Sequence, residues 1–231
     1  MNGVLLVECA TWLIISVRFN SAMIKIRRLD DKLNIEGKRI LLRVDFNVPM
    51  NDETITEDSR IKKVLPTIKY LIKKKAKIII IAHLGRPKGK IIPNLTLKPI
   101  AKKLSEYVNH SVMFLNESIG ALAIENSKKL PNGKVMLLEN LRFHKEEELN
   151  SESFAKELSK IGDIYVNEAF PCSHRAHASV SEITKHISSF GGQQLIEELN
   201  AIKMLTENAK RPATCIVGGS KISTKSGVII N

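Results

Sequence analysis

From Arg39 onward, short runs of β-branched and aliphatic residues alternate with longer stretches of helical period, and this alternation constrains the fold more than any other feature. The apolar runs occupy residues 40–44, 78–82, 112–115, 135–138, 164–166 and 213–217. Runs this continuously apolar suit strands covered on both faces, because a one-sided sheet would alternate apolar and polar positions. Helical periodicity is expected over residues 57–75, 97–108, 118–130, 151–161 and 193–208. These segments are long enough to serve as crossover connections, so the pattern predicts an α/β fold with a parallel sheet.

The 231 residues, 43% hydrophobic and 26% charged, lie within ordinary soluble globular composition and exclude collagen-like, coiled-coil and disordered classes. The net charge of +12 points to an anionic partner without choosing one. Between Ser59 and Lys103 there are 14 Lys or Arg and no Asp or Glu. Most of the lysines there (Lys62, Lys63, Lys69, Lys73, Lys74, Lys75) fall where a solvated helix face is expected, so the informative cations are those at strand ends. Aromatics make up 5%, with no nucleic-acid motif, and nucleic acid is not an expected partner.

Cys9, Cys172 and Cys215 are far apart and in no CxxC spacing, which suggests neither a disulfide framework nor a zinc site and fits a cytoplasmic chain. The apolar run at residues 4–17 is interrupted by Glu8 and is shorter than the ~18 residues of a membrane span, so no membrane partner is expected. Met23 opens a more ordinary start, and residues 1–22 are expected to be an extension outside the fold.

Chemistry-bearing residues follow the strands directly. Arg43, Asp45 and Asn47 leave the first run, and His83-Leu84-Gly85-Arg86 leave the second. Glu139, Asn140, Arg142 and His144 follow the fourth; Glu168, Cys172, His174, Arg175 and His177 follow the fifth. Ligands bind at the carboxyl ends of strands in an open parallel sheet. If the ends converge, Arg60, Arg86, Arg142, Arg175 and His83 form a basic cradle beside Asp45 and Asn47, suited to a small phosphorylated hydroxy acid. His83, His174 and His177 have no third ligand at a metal spacing, and no metal site is expected.

Gly191-Gly192 precede the last long helix, where Leu195, Leu199, Ile202 and Leu205 form a stripe, and this helix is the expected domain boundary. After it, Gly218-Gly219-Ser220-Lys221 with Lys225 follow the run at 213–217 and open another helix, an arrangement that aims N–H groups and lysines at phosphate.

RVDFNVP, HLGRP, LLENLRFH, YVNEAF, HRAHAS and GGSKISTK, in this order, closely resemble phosphoglycerate kinase from about Arg28 to the last residue. The resemblance implies a doubly wound, Rossmann-like three-layer αβα fold. It implies an N-terminal extension at 1–22, a 3-phosphoglycerate domain at 23–190, a hinge helix at 191–209, and the first βα fragment of a nucleotide domain at 210–231, the chain being truncated. The implied reaction is phosphoryl transfer between 1,3-bisphosphoglycerate with ADP and 3-phosphoglycerate with ATP, with Mg2+ bound to the nucleotide, in a cytoplasmic monomer. The alternative is a non-catalytic 3-phosphoglycerate-binding fragment or decayed gene product. By resemblance, Asp45, Asn47, Arg60, His83, Leu84, Gly85, Arg86, Arg142 and Arg175 bind the substrate, Arg60 and Lys221 are catalytic, and Lys221 and Lys225 contact the nucleotide. Pro171-Cys172 stand where the family has Gly-Thr, Glu168 where it has Asp, and Phe190–Gln194 depart from its hinge pattern.

Overall fold

The computed structural model describes residues 26–30 and 32–207. The expectations at residues 1–22 and 213–217, and those for Lys221 and Lys225, lie outside the described residues. Residues 26–198 form one compact unit, and the described residues 199–207 fall outside it.

The strands are β1 (Arg39–Arg43), β2 (Met50–Asn51), β3 (Thr54–Ile55), β4 (Lys77–Ile81), β5 (Val112–Leu115), β6 (Val135–Leu138), β7 (Ile164–Asn167) and β8 (Ser189–Gly191). The helices are α1 (Ser59–Lys73), α2 (Lys98–Val108), α3 (Ala121–Lys129), the single turn α4 (Lys145–Glu148), α5 (Glu152–Ser159) and α6 (Gln193–Glu207). Six strands form one sheet in the order β5-β6-β4-β1-β7-β8, and every pairing in it is parallel. The order reverses direction about β1: the chain builds β4, β5 and β6 on one side, then β7 and β8 on the other. Such a reversal opens a crevice beyond the strand carboxyl ends. β2 and β3 form a separate antiparallel hairpin around Asp52, which adopts a φ of 50°.

Successive strand residues point to opposite faces, and the two faces carry separate cores. Ile40, Leu42, Ile78, Ile80, Val135, Leu137 and Val166 pack with Ile61, Val64, Ile68 and Leu71 of α1 and Ile100 and Leu104 of α2. Leu41, Ile79, Ile81, Met136, Leu138 and Tyr165 pack on the other face with Phe154, Ala155 and Leu158 of α5 and Ala123 of α3. Helices on both faces make the three-layer αβα arrangement, and this explains why the strands read as unbroken apolar runs. Each fully buried Leu or Ile of this kind contributes roughly 1.5–3 kcal/mol. The lysines of α1 at Lys62, Lys63, Lys69 and Lys73 are exposed, as the helical period requires.

Candidate functional site

Beyond the carboxyl ends of β1, β4, β6 and β7 the loops converge. Arg43, the last residue of β1, is 1% exposed. Its Nε donates to Ser179 Oγ at 2.9 Å, its Nη1 donates to the Val44 carbonyl, and its Nη2 donates to His83 Nδ1 at 3.1 Å. Ser179 Oγ donates onward to Glu147 Oε1 at 2.6 Å, and the Ser179 N–H donates to Glu147 Oε2 at 2.9 Å. A fully buried carboxylate thus faces the buried guanidinium through one hydroxyl, and each guanidinium nitrogen and each carboxylate oxygen has a hydrogen-bond partner.

Guanidinium nitrogen only donates, so His83 Nδ1 is an acceptor and the neutral ring carries its hydrogen on Nε2. Burial, reinforced by Arg43, Arg142 and Arg175, holds the His83 pKa well below the ordinary histidine range. His177 is pushed down to about 4, chiefly by burial and then by Arg142 and Arg175. His174 is lowered by burial and by Arg175. These mutual effects place His83, His177, Arg142 and Arg175 within one field.

The first loop is tied to the second. The Asn47 N–H donates to Asp45 Oδ1 at 3.1 Å, and Asn47 Oδ1 accepts the Gly85 N–H at 2.8 Å. Gly85 has a φ of +63°, open to glycine at little cost, and its carbonyl accepts from Arg142 Nη1 at 2.8 Å. Asn140, fully buried, holds the Leu84 and Arg142 backbones: its Oδ1 accepts the Arg142 N–H at 3.1 Å and its Nδ2 donates to the Leu84 carbonyl at 2.8 Å. Arg142, 3% exposed, also pairs with Glu148 across 3.3 Å. Arg60, in the first turn of α1, is half-exposed and ion-paired with the buried Asp45. Arg86 is exposed on the loop after β4, and Arg175 is partly exposed beside His174.

Of the residues expected from sequence, Asp45, Asn47, Arg60, His83, Leu84, Gly85, Arg142 and Arg175 are joined by these contacts and fields, while Arg86 shares only the loop. Arg43, Glu147, Ser179 and Asn140 were not expected to organise the site. Arg43 and Asn140 had a visible signal, since both stand among the polar residues at strand ends.

The sequence offers His83, His174 and His177 no third ligand at a metal spacing, yet the fold brings one histidine into a cluster: donor atoms of Asp45, His83 and Cys172, all buried, lie within 4.8 Å of one another. The donor chemistry opposes a divalent cation. The Nδ1 lone pair of His83 is taken by Arg43 and Nε2 is protonated, whereas a ligating histidine presents one lone pair to the metal and its other N–H to an acceptor. Burial raises the Cys172 pKa, and Asp45 already pairs with Arg60. The surroundings suit an anion.

The phosphoglycerate kinase family model matches residues 30–231. Phosphoglycerate kinase of Gloeothece citriformis (strain PCC 7424) is 50% identical over 200 residues, covering 86% of this chain and 50% of that protein. The solved structure of phosphoglycerate kinase from Coxiella burnetii matches with a TM-score of 0.77 at 37% identity, over 87% of this chain and 50% of that one. The corresponding enzyme of Pyrococcus horikoshii OT3 gives a TM-score of 0.78 at 34% identity, over 86% and 50%. The chain spans about half the length of the curated relatives it matches. The matched segment takes in the whole six-stranded sheet and all the loops that converge on Arg43 and His83, and the chain belongs to the phosphoglycerate kinase family.

Proposed function

We propose that the cradle binds 3-phosphoglycerate and that the chain supplies the acid-substrate side of phosphoryl transfer between 1,3-bisphosphoglycerate with ADP and 3-phosphoglycerate with ATP. The observation that carries this reading is the buried Arg43 donating to His83 inside a field of further arginines. Guanidinium forks grip phosphate and carboxylate oxygens bidentately, and a neutral imidazole with its hydrogen on Nε2 adds a donor without adding charge. Asp45 and Asn47 offer oxygens to a substrate hydroxyl, and Arg86, Arg142 and Arg175 hold the phosphate and carboxylate.

In the forward direction the bond between the acyl phosphorus and the C1 oxygen breaks, and phosphorus bonds to a terminal oxygen of ADP. C1 leaves as a carboxylate. Arg60, released from Asp45, offsets charge on the transferring group; such catalysis consists of positioning and electrostatic stabilisation. Lys221 and Lys225 serve the nucleotide side. Mg2+ accompanies the nucleotide and neutralises its phosphates, and the Asp45, His83 and Cys172 cluster does not fit it. Residues 23–190 act as the substrate domain, 191–209 as the linking helix and 210–231 as the opening of the nucleotide domain. The same reading gives a cytoplasmic monomer; among the described residues no helix is long and apolar enough to cross a membrane.

Thermal unfolding of the whole chain tests the reading. A saturable rise in Tm with 3-phosphoglycerate, absent with unphosphorylated glycerate and with Mg-ADP, is expected from binding to the folded state alone. Equal responses to all three would contradict it.

A further inference from the structure

Glu168 follows β7 and is 1% exposed, yet the anion cradle does not use its carboxylate. Oε1 accepts from Thr67 Oγ1 on α1, and Oε2 accepts the Leu195 N–H at 3.1 Å, while the neighbouring N–H groups of Gln193 and Gln194 favour the charged carboxylate. These amides open α6 and have no partner within the helix, so a carboxylate there both satisfies that of Leu195 and complements the helix dipole. The fit is tight: a Cβ at Gly192 would collide with Cδ of Glu168, which makes glycine necessary before α6. The Glu168 backbone is held in turn, its N–H donating to the Arg43 carbonyl at 2.8 Å.

Thr67 and Arg60 stand seven residues apart on α1, two turns along one face. One helix therefore carries the cation paired with Asp45 at its start and the hydroxyl bonded to Glu168 at its middle, with Pro66 between them. We propose that Glu168 is a positioning residue that fixes the first turn of α6 to the ligand-facing helix α1 by way of Thr67. Its consequence for phosphoryl transfer rests on the reading of α6 as the linking helix; the tie itself does not.

Hydrogen exchange of the whole chain without ligand tests the tie. Thr67→Val removes the hydroxyl while touching no atom of α6, and should speed exchange at residues 193–195 by about tenfold, the amides of β1 and β4 keeping their wild-type rates. Thr67→Ser keeps the hydroxyl and should restore the wild-type rates, and Glu168→Gln should accelerate the same amides at least as much as Thr67→Val. If Thr67→Val leaves residues 193–195 at wild-type rates, Glu168 is a local cap and the tie to α1 is overturned. Since no ligand is present, a failure to bind 3-phosphoglycerate would count against the proposed function alone.

Discussion

Nη2 of Arg43 lies 3.1 Å from Nδ1 of His83, so a guanidinium that is itself buried fixes the tautomer of a buried imidazole. The same guanidinium reaches Glu147 through Ser179, so the state of the anion cradle depends on a carboxylate on the single turn α4.

The His83 ring should therefore appear by nitrogen NMR as the neutral Nε2–H tautomer at pH 7. Arg43→Met leaves Glu147 buried without its cation. It should cost about 3–5 kcal/mol of stability in urea unfolding, the range for breaking a buried charge network from one side.

Stability should fall as the solution is acidified below the ordinary histidine pKa. His83 and His177 are held below it, so the unfolded chain takes up protons that the folded chain refuses. The contribution is fully present above about pH 6.5 and is lost as pH falls, for His177 until about pH 4, at up to about 1.4 kcal/mol per pH unit for each ring. Glu168, whose carboxyl pKa is raised by burial, works in the opposite sense. Urea titrations at pH 7 and pH 5 measure the slope, and His177→Gln should flatten it.

Gly85→Ala should destabilise by about 1–3 kcal/mol, since φ is +63° and the new Cβ would sit 2.8 Å from Leu95 Cδ2. It should also weaken 3-phosphoglycerate binding, because the Gly85 peptide links Asn47 to Arg142. An unchanged Tm and affinity would contradict both points.

Asn140→Leu should cost about 3–4 kcal/mol, by stranding the Leu84 carbonyl and N–H and the Leu95 carbonyl in a buried site. Chemical denaturation gives the number directly.

Much of the sheet was legible in the sequence. Residues 112–115 and 135–138 coincide with β5 and β6, while β1 and β4 begin one residue earlier than expected, at Arg39 and Lys77. Their backbones join the ladder although their side chains are charged, and hydropathy does not register that pairing. β8 went unseen because Ser189–Gly191 is three residues long and ends in glycine. Glu147 reads as one of three adjacent acids; only the return of the chain at Ser179 buries it. Cys172 meets Asp45 and His83 through the sheet's strand order, which no local spacing encodes. The convergence of the strand-end loops was legible because consecutive apolar runs joined by helical crossovers make a parallel sheet, whose strand carboxyl ends all lie on one edge.

Calorimetric titration with 3-phosphoglycerate of the wild-type chain, Arg60→Ala and Arg175→Ala tests the cradle most directly. Both side chains are at least partly exposed, so folding should survive. One saturable site in the wild type, weakened about 10- to 100-fold in each variant, is expected from losing one charged hydrogen-bonding group. Wild-type affinity in both variants, or no binding by a folded wild-type chain, would contradict the assignment of 3-phosphoglycerate to this cradle.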